Sequence, residues 1–213
     1  MDNDDVFRRT AANRRRAADM LAGLTPEQWG TPSLCAGWTV RELAGHLIMP
    51  MEAGIPGFLI ALVRARGSAD RAVDMISRKL AGRAPEEIIR TLRDEADSRV
   101  RPPGVGALGP MADSCIPLRD AARPLGLEDT APPGDWRIVL DFLASPTARL
   151  GFVPVGRLAG LRLHAIDLDW RSGDGADVAG PGEALALAMA GRPVALADLD
   201  GDGVPVLQER LAC

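Results

Sequence analysis

The stretch that decides the fold spans residues 34–47 and reads LCAGWTVRELAGHL. Thr39 and Glu42 have the spacing of a capping box, in which the threonine hydroxyl and the glutamate carboxylate each accept from a backbone amide at the helix start. Trp38 and Leu43 occupy the positions of a hydrophobic staple, which fixes the direction of the entering chain. The pattern predicts a helix that begins after Thr39 and carries His46 on its second turn.

Other segments of the first 150 residues show the spacing of amphipathic helices. Thr25 followed by Pro26 is typical of a helix start, because threonine caps well and proline fits the first turn. The glycines and prolines of residues 102–110 predict a loop. Helices are expected at residues 4–24, 69–82, 85–101, 111–122 and 135–145. Pro117 should kink the fourth of these or mark its true start.

The chain from residue 151 onward has a different pattern. Residues 161–166 begin with the alternation of a strand, residues 172–175 predict a turn, and residues 181–190 predict a short helix. We therefore expect a mainly α fold. A helical bundle should cover residues 1–150, and a small α+β domain should cover residues 151–213.

The charge of the chain argues against a nucleic-acid partner, which needs clustered basic surface. The net charge is −4 and the isoelectric point is near 5.3. The one dense basic run, residues 14–16, lies inside a helical pattern, and we interpret it as a solvated helix face. Cysteines 35, 115 and 213 form no CxxC pair and predict no disulfide framework.

Residues 47–63 are the most apolar stretch, but they are shorter than the roughly 20 residues of a membrane span. They also contain Glu52 and are interrupted by Pro50 and Pro56. A buried helix or helix-turn is expected, with no membrane partner. The acidic N-terminal residues differ from a signal peptide, which favours a cytoplasmic protein.

The acidic segment 198–203, followed by Glu209, has the spacing of a calcium-binding loop. Such a loop also needs flanking helices. Pro193 interrupts the entering side and Pro205 lies within the loop. We therefore expect an acidic turn rather than a calcium site.

Three motifs in order resemble a known enzyme family. The first is the stretch at 34–47, the second is DAARPLG at 120–126, and the third combines short matches between residues 161 and 193. Together they resemble the mycothiol-dependent maleylpyruvate isomerase family. The resemblance implies a DinB-like up-down four-helix bundle with a small C-terminal domain. It also implies action on a small electrophilic metabolite, by mycothiol-assisted isomerisation or by S-transfer.

The same resemblance implies a divalent metal, such as zinc, in the bundle. The family's ligands are a histidine after the capping box, an acidic residue, and a second histidine four positions later. His46 and Asp113 match the first two, but the third position is Pro117, which has no donor atom. Three interpretations stay open: the metal is lost, Cys115 supplies a thiolate instead, or the third ligand lies elsewhere. His46 can also be a buried structural histidine, and Asp113 a helix-terminal charge or cap.

The second motif supplies the candidates for substrate binding, Asp120 and Arg123. They can form an ion pair at helical i,i+3 spacing, or Arg123 can engage a substrate carboxylate. Cys35 is interpreted as structural, because no histidine is placed by the sequence to activate it. The sequence assigns no catalytic residue.

Three functions therefore compete. The first is a mycothiol-dependent enzyme, an isomerase or transferase, with a small-molecule substrate. The second is a metal-free family descendant that binds or converts a hydrophobic small molecule. The third is a structural or partner-binding helical protein, and an accessible central pocket lined by His46, Asp113 and Arg123 would argue against it. The oligomeric state stays open, with a homodimer as one option.

Overall fold

The computed structural model describes residues 2–101, 104–128 and 130–212. The chain is mainly helical with a small three-stranded sheet, which confirms the predicted fold class. It divides into two compact units. The N-terminal unit comprises residues 1–102 and 113–130, and the C-terminal unit comprises residues 103–112 and 131–213.

The N-terminal unit is helical. It contains α1 (Asn3–Ala22), α2 (Pro26–Trp29), α3 (Val40–Glu52), α4 (Gly54–Arg64), α5 (Ala69–Ala81), α6 (Pro85–Asp94), the part of α7 (Leu108–Ala122) from residue 113 onward, and a 3-10 turn (Arg123–Leu125).

Several of these helices begin at a side-chain cap. The Asp2 carboxylate accepts from the Asp4 amide at 3.2 Å, and the Ser68 hydroxyl accepts from the Arg71 amide at 3.3 Å. Thr25 forms a complete capping box with the third residue of α2. Each cap satisfies an amide that has no partner within its helix, so the starts follow from local sequence.

An aliphatic core holds the N-terminal unit together. Its members come from α1, α2, α3, α5, α6 and α7. Burial of each large aliphatic side chain stabilises the fold by about 1.5–3 kcal/mol relative to an exposed one. The largest fully buried side chains in this core are Leu21, Leu43, Ile48, Ile88, Leu92 and Leu118.

Two helices differ from their predicted bounds by more than two residues. α6 ends at Asp94 rather than near residue 101, and α7 begins at Leu108 rather than near residue 111. α7 is also continuous through Pro117, so the helix does not begin there. Residues 114–118 are all buried. Their packing compensates for the lost helical hydrogen bond, a defect of about 3 kcal/mol.

The C-terminal unit contains a three-stranded sheet flanked by helices. The order of strands is β2-β1-β3, with β1 antiparallel to β2 and parallel to β3. The predicted strand and turn are confirmed, since residues 172–175 connect β2 to β3. The elements are α8 (Pro133–Leu143), β1 (Leu161–Ala165), β2 (Trp170–Ser172), β3 (Ala176–Gly180), α9 (Gly182–Met189) and α10 (Val204–Leu211).

Helix α8 is tied to β2 and its preceding turn. The Trp170 indole N–H donates to the Asp141 carboxylate at 2.8 Å, and Arg137 donates to the main-chain carbonyl of Asp169. These bonds place residues 133–143 in the C-terminal unit. The sequence predicted a domain boundary after residue 150. A division into compact units does not test whether independent domains meet there, so this boundary stays a prediction.

The acidic segment 198–203 forms a turn against β3. The Asp202 carboxylate accepts from the Asp177 amide at 2.6 Å, and the backbones of Ala179 and Asp200 pair as an isolated bridge. Gly201 has φ +119°, and a Cβ there would lie 2.2 Å from the Asp177 carbonyl oxygen. The aspartates and glycines thus shape a turn that joins the strand edge.

No single helix within the described ranges is long and apolar enough to span a membrane. α3 and α4 reach that length and hydropathy only when taken together, and they are bent by 119° at their junction. Residues 47–63 therefore form the end of α3, a sharp turn and most of α4, in agreement with the predicted helix-turn. The expected burial is wrong for α4, in which Leu59, Ile60 and Val63 are more than half exposed.

Candidate functional site

A tight loop leads into α3 and presents Trp38. The amide and hydroxyl of Ser33 donate to the Trp38 carbonyl at 2.9 and 3.0 Å. The Val40 amide donates to the Thr31 carbonyl at 2.9 Å. Gly37 adopts φ +78°, a left-handed conformation that glycine takes without strain. The loop therefore holds the tryptophan in one orientation at the start of the helix.

Residues of α5 fix the Trp38 side chain. Its indole N–H donates to an Asp74 carboxylate oxygen at 2.8 Å, and Arg78 Nε donates to the same oxygen at 2.8 Å. Arg78 also donates to the Gly37 carbonyl at 2.9 Å. The Trp38 ring centroid then lies 5.3 Å from that of His46, with the planes tilted by 48°. The indole thus forms a wall beside the imidazole.

The predicted capping box at the start of α3 is confirmed. The Thr39 amide donates to the Glu42 carboxylate at 2.8 Å, and the Thr39 hydroxyl contacts the same oxygen. Partial burial acts to raise the pKa of Glu42, but the hydrogen bonds from Thr39 outweigh it and lower that pKa below its ordinary value of 4.5. The carboxylate therefore stays ionised at neutral pH and fixes the register of the helix that carries His46.

Gly45 brings α3 into backbone contact with α5. A Cβ at this position would lie 2.3 Å from the Ser77 carbonyl oxygen and 2.7 Å from the Ala81 amide nitrogen. Only glycine permits such an approach between two helices. The residue next to His46 therefore sets the distance of α3 from α5, and with it the depth of the imidazole in the unit.

His46 on α3 faces Asp113 on α7. The distance from His46 Nε2 to Asp113 Oδ1 is 4.0 Å, and the two side chains are 16% and 34% exposed. They are thus close enough to share a small ligand atom and open enough for one to reach them. This juxtaposition joins residues that are 67 positions apart in the sequence.

Arg14 on α1 interacts electrostatically with Asp113 and is buried, with 4% of its surface exposed. It donates to the carbonyls of Ala96 and Ser98 at 2.9 and 2.7 Å. Burial lowers the pKa of Arg14, while the Asp113 carboxylate acts in the opposite direction. The interpretation of residues 14–16 as a solvated face is therefore wrong for Arg14. The positions of the apolar stripe of α1 include residue 14, so its spacing was the signal that could have indicated burial.

The described donors do not complete a three-ligand metal site. Pro117 stands one helical turn after Asp113 and offers no donor atom, and it cannot donate the helical hydrogen bond to the Asp113 carbonyl. Within residues 2–101, 104–128 and 130–212, no three histidine, cysteine, aspartate or glutamate side chains cluster as a metal would require. His46 and Asp113 alone therefore do not fit the implied metal.

Cys115 has different surroundings from Asp113. It follows Asp113 by two residues, which turns it by about 200° around the helix axis. Its sulfur accepts from the Asn13 side-chain amide of α1 at 3.4 Å, and the residue is fully buried. Cys115 is thus not part of a three-donor cluster with His46 and Asp113 among the described residues. The assignment of these three residues as metal ligands stays a prediction.

The predicted substrate-binding residues lie at the end of α7. Asp120 is fully buried, and its main-chain carbonyl accepts from the Leu34 amide at 3.1 Å, which ties the loop before α3 to α7. Arg123 is half-buried in the 3-10 turn. Cys35 is half-buried and packs against the core, in keeping with a structural role. Contact of Asp120 or Arg123 with a substrate stays a prediction.

A shallow cleft of about 350 Å³ lies elsewhere in the N-terminal unit and contains none of the predicted site residues. Its lining is Asp19, Met20, Gly23, Leu24, Gln28 and Leu127.

Residues 10–104 match the family model for the mycothiol maleylpyruvate isomerase N-terminal domain. The family resemblance is confirmed. The matched residues include the loop with Trp38, the capping box and His46. Asp113 lies outside the matched range.

Two solved structures share the fold over nearly the whole chain. One is a crystal structure of the mycothiol-dependent maleylpyruvate isomerase, with a TM-score of 0.59. The other is a histidine-to-alanine mutant of a mycothiol-dependent maleylpyruvate isomerase, with a TM-score of 0.54. Each is 16% identical and covers 95% of this chain and 93% of its own. At this identity the likeness concerns the fold. No curated protein matches the sequence.

Proposed function

We propose that this protein is a mycothiol-dependent, maleylpyruvate isomerase-like enzyme that acts on a small electrophilic metabolite. The pairing of His46 with Asp113 beside Trp38 supports this most, because the histidine lies in the segment that matches the family. Partial exposure of both side chains leaves room for a ligand. We expect the protein to be cytoplasmic, with mycothiol and the electrophilic substrate as its small-molecule partners.

When bound, mycothiol would supply a nucleophilic sulfur for addition to the electrophile, reversible in isomerisation or retained in S-transfer, in which case the thiol proton would end on the substrate. His46 and Asp113 supply the hydrogen-bonding groups that hold the sulfur and the polar end of the substrate. Trp38 excludes water on one side of them. The Asp113 carboxylate acts to raise the pKa of the buried Arg14, so the two groups interact electrostatically within the N-terminal unit.

No step is assigned to a metal, since the described donors are one side chain short of a three-ligand site. Pro117 favours a second candidate, a metal-free descendant that uses the same residues to bind or convert a hydrophobic small molecule. A stoichiometric zinc or nickel content in the purified protein would defeat this second candidate, whereas conversion that requires mycothiol would favour the first.

On the substrate side, we propose that Arg123 engages a carboxylate. A guanidinium is always charged, and its geometry matches that of a carboxylate. Arg123 belongs to the second motif, at residues 120–126, and its half-buried side chain suits this role. Asp120, being fully buried, would act by holding the loop that carries Trp38 rather than by touching the substrate.

Replacing His46 with alanine is expected to lower mycothiol-dependent turnover by about 100-fold or more, because a positioned histidine contributes that much when it acts on the reacting groups. The measurement is conversion of maleylpyruvate and of other electrophilic acids, with and without mycothiol. His164→Ala is the matched control, since His164 lies in β1 beside Arg171.

The control should retain full activity. Conversion that is equally fast without a thiol, or equally fast in the His46→Ala protein, would contradict the proposed function. A fold check by circular dichroism should show the His46→Ala protein folded, because the replacement removes a half-buried side chain without adding volume.

A further inference from the structure

Helix α4 is apolar on every side. Residues 54–63 read GIPGFLIALV and contain no charged or hydrogen-bonding side chain. One face packs on α5, where Ala61, Phe58 and Leu62 meet the small side chains of Ala65 and Ala72. A helix of this composition is normally covered all round.

The opposite face of α4 is uncovered. Ile55, Leu59 and Val63 follow one another at intervals of four residues, with Ile60 alongside, and their exposed fractions run from 45% to 80%. The stripe extends over about 12 Å of helix. Met75 of α5 adds a further exposed apolar side chain. A contiguous apolar surface of this kind marks an interaction site.

Basic side chains border this stripe. Arg64 lies one helical turn after Ile60, Arg66 lies in the turn to α5, and Arg71 and Lys79 are exposed on α5. No ion pair joins these four residues to another described residue within 4.0 Å. Residues 52–84 carry six basic and three acidic side chains, a net charge of +3 within a chain of net charge −4. The net charge of residues 52–84 is therefore opposite in sign to that of the rest of the chain. The four basic residues named above form the rim of the stripe.

We propose that the α4–α5 face docks peripherally on an anionic lipid surface. The stripe of Ile55, Leu59, Ile60 and Val63 would enter the boundary between headgroups and acyl chains, while the arginines meet the headgroup charge. A second copy of the chain is a poorer occupant, because two-fold pairing sets identical patches together and would oppose the two basic rims. The proposal revises the expectation of no membrane partner and is independent of the proposed function.

The test is co-sedimentation of the full chain with vesicles of phosphatidylcholine alone and of phosphatidylcholine with an equal amount of phosphatidylglycerol. Binding is expected to the anionic vesicles, to weaken steeply with salt, and to be weak on neutral ones. The pair Arg64→Gln and Arg66→Gln should reduce the partition coefficient by about 30-fold. The pair Leu59→Ser and Ile60→Ser should reduce it by at least about tenfold.

Matched controls alter exposed residues that belong to neither α4 nor α5. Arg90→Gln on α6 and Val155→Ser, at a position 79% exposed, should bind as the wild type does. Absent binding, or equal binding to neutral and anionic vesicles, would overturn the proposal. So would a wild-type dimer in sedimentation equilibrium that the Leu59→Ser, Ile60→Ser pair dissociates, since the face would then be a contact between copies.

Discussion

Replacing Gly45 with alanine is expected to lower the free energy of unfolding by about 2–3 kcal/mol. The added Cβ would lie 2.3 Å from the Ser77 carbonyl oxygen and 2.7 Å from the Ala81 amide nitrogen. Neither backbone atom can rotate away, so α3 and α5 must separate and open gaps in a close-packed core. Urea denaturation followed by circular dichroism measures the change.

Gly23→Ala serves as the control for this change. Its Cβ would meet only main-chain oxygens, the nearer being that of Met20 at 3.5 Å, an ordinary contact distance. The free energy of unfolding should change by no more than about 0.5 kcal/mol. A Gly45→Ala protein as stable as the wild type would mean that the two helices do not approach at this residue.

Replacing Arg14 with methionine should lower the free energy of unfolding by about 3 kcal/mol, although the new side chain is apolar and of similar length. The carbonyls of Ala96 and Ser98 would lose their donor. Asp113 would lose a buried positive charge in its surroundings. The loss should be visible as a lower urea midpoint with an unchanged slope.

The neighbouring Arg15→Met change tests whether burial is the cause. Arg15 is exposed and pairs with Asp97 at the surface, and such pairs contribute no more than about 1 kcal/mol. Equal losses for the two variants would contradict the description of Arg14 as a buried structural cation. A larger loss for Arg14 is expected, because its hydrogen bonds to the Ala96 and Ser98 carbonyls are lost with it.

The helix starts could be predicted because their causes are local. Thr25 and Thr39 cap through residues three positions away, and the structure contains both capping boxes. Strand β1 could be predicted for the same reason, because buried and less buried side chains alternate over its five consecutive residues. Each of these patterns spans only a few consecutive residues, so its cause is contained in the local sequence.

Other features depend on partners that are distant in sequence. Asp74 orients Trp38 from another helix, and Arg14 reaches carbonyls more than 80 residues away. No local spacing connects either residue with its partners, although the apolar stripe of α1 could have indicated that Arg14 is buried. The continuity of α7 through Pro117 has the same origin, since burial of the surrounding side chains compensates for a defect that, by local rules, should kink the helix or mark its start.

The candidate site was predicted in part. The capping box placed His46 on a helix and the family resemblance suggested Asp113 as its neighbour, and the two side chains lie 4.0 Å apart. Helical geometry explains why Cys115 has other contacts, because two residues along a helix point to nearly opposite sides. The position of a residue on its helix does not by itself determine whether its side chain binds a ligand.

The most direct test of the central claim, that His46 and Asp113 form a thiol-binding site, uses the fact that the chain has two histidines. In protein labelled at histidine, nuclear magnetic resonance separates the imidazole signals of His46 and His164. Titration with mycothiol should shift the His46 signals in a saturable way and leave those of His164 unchanged. Signals of His46 that do not respond, or equal shifts of both histidines, would contradict the account.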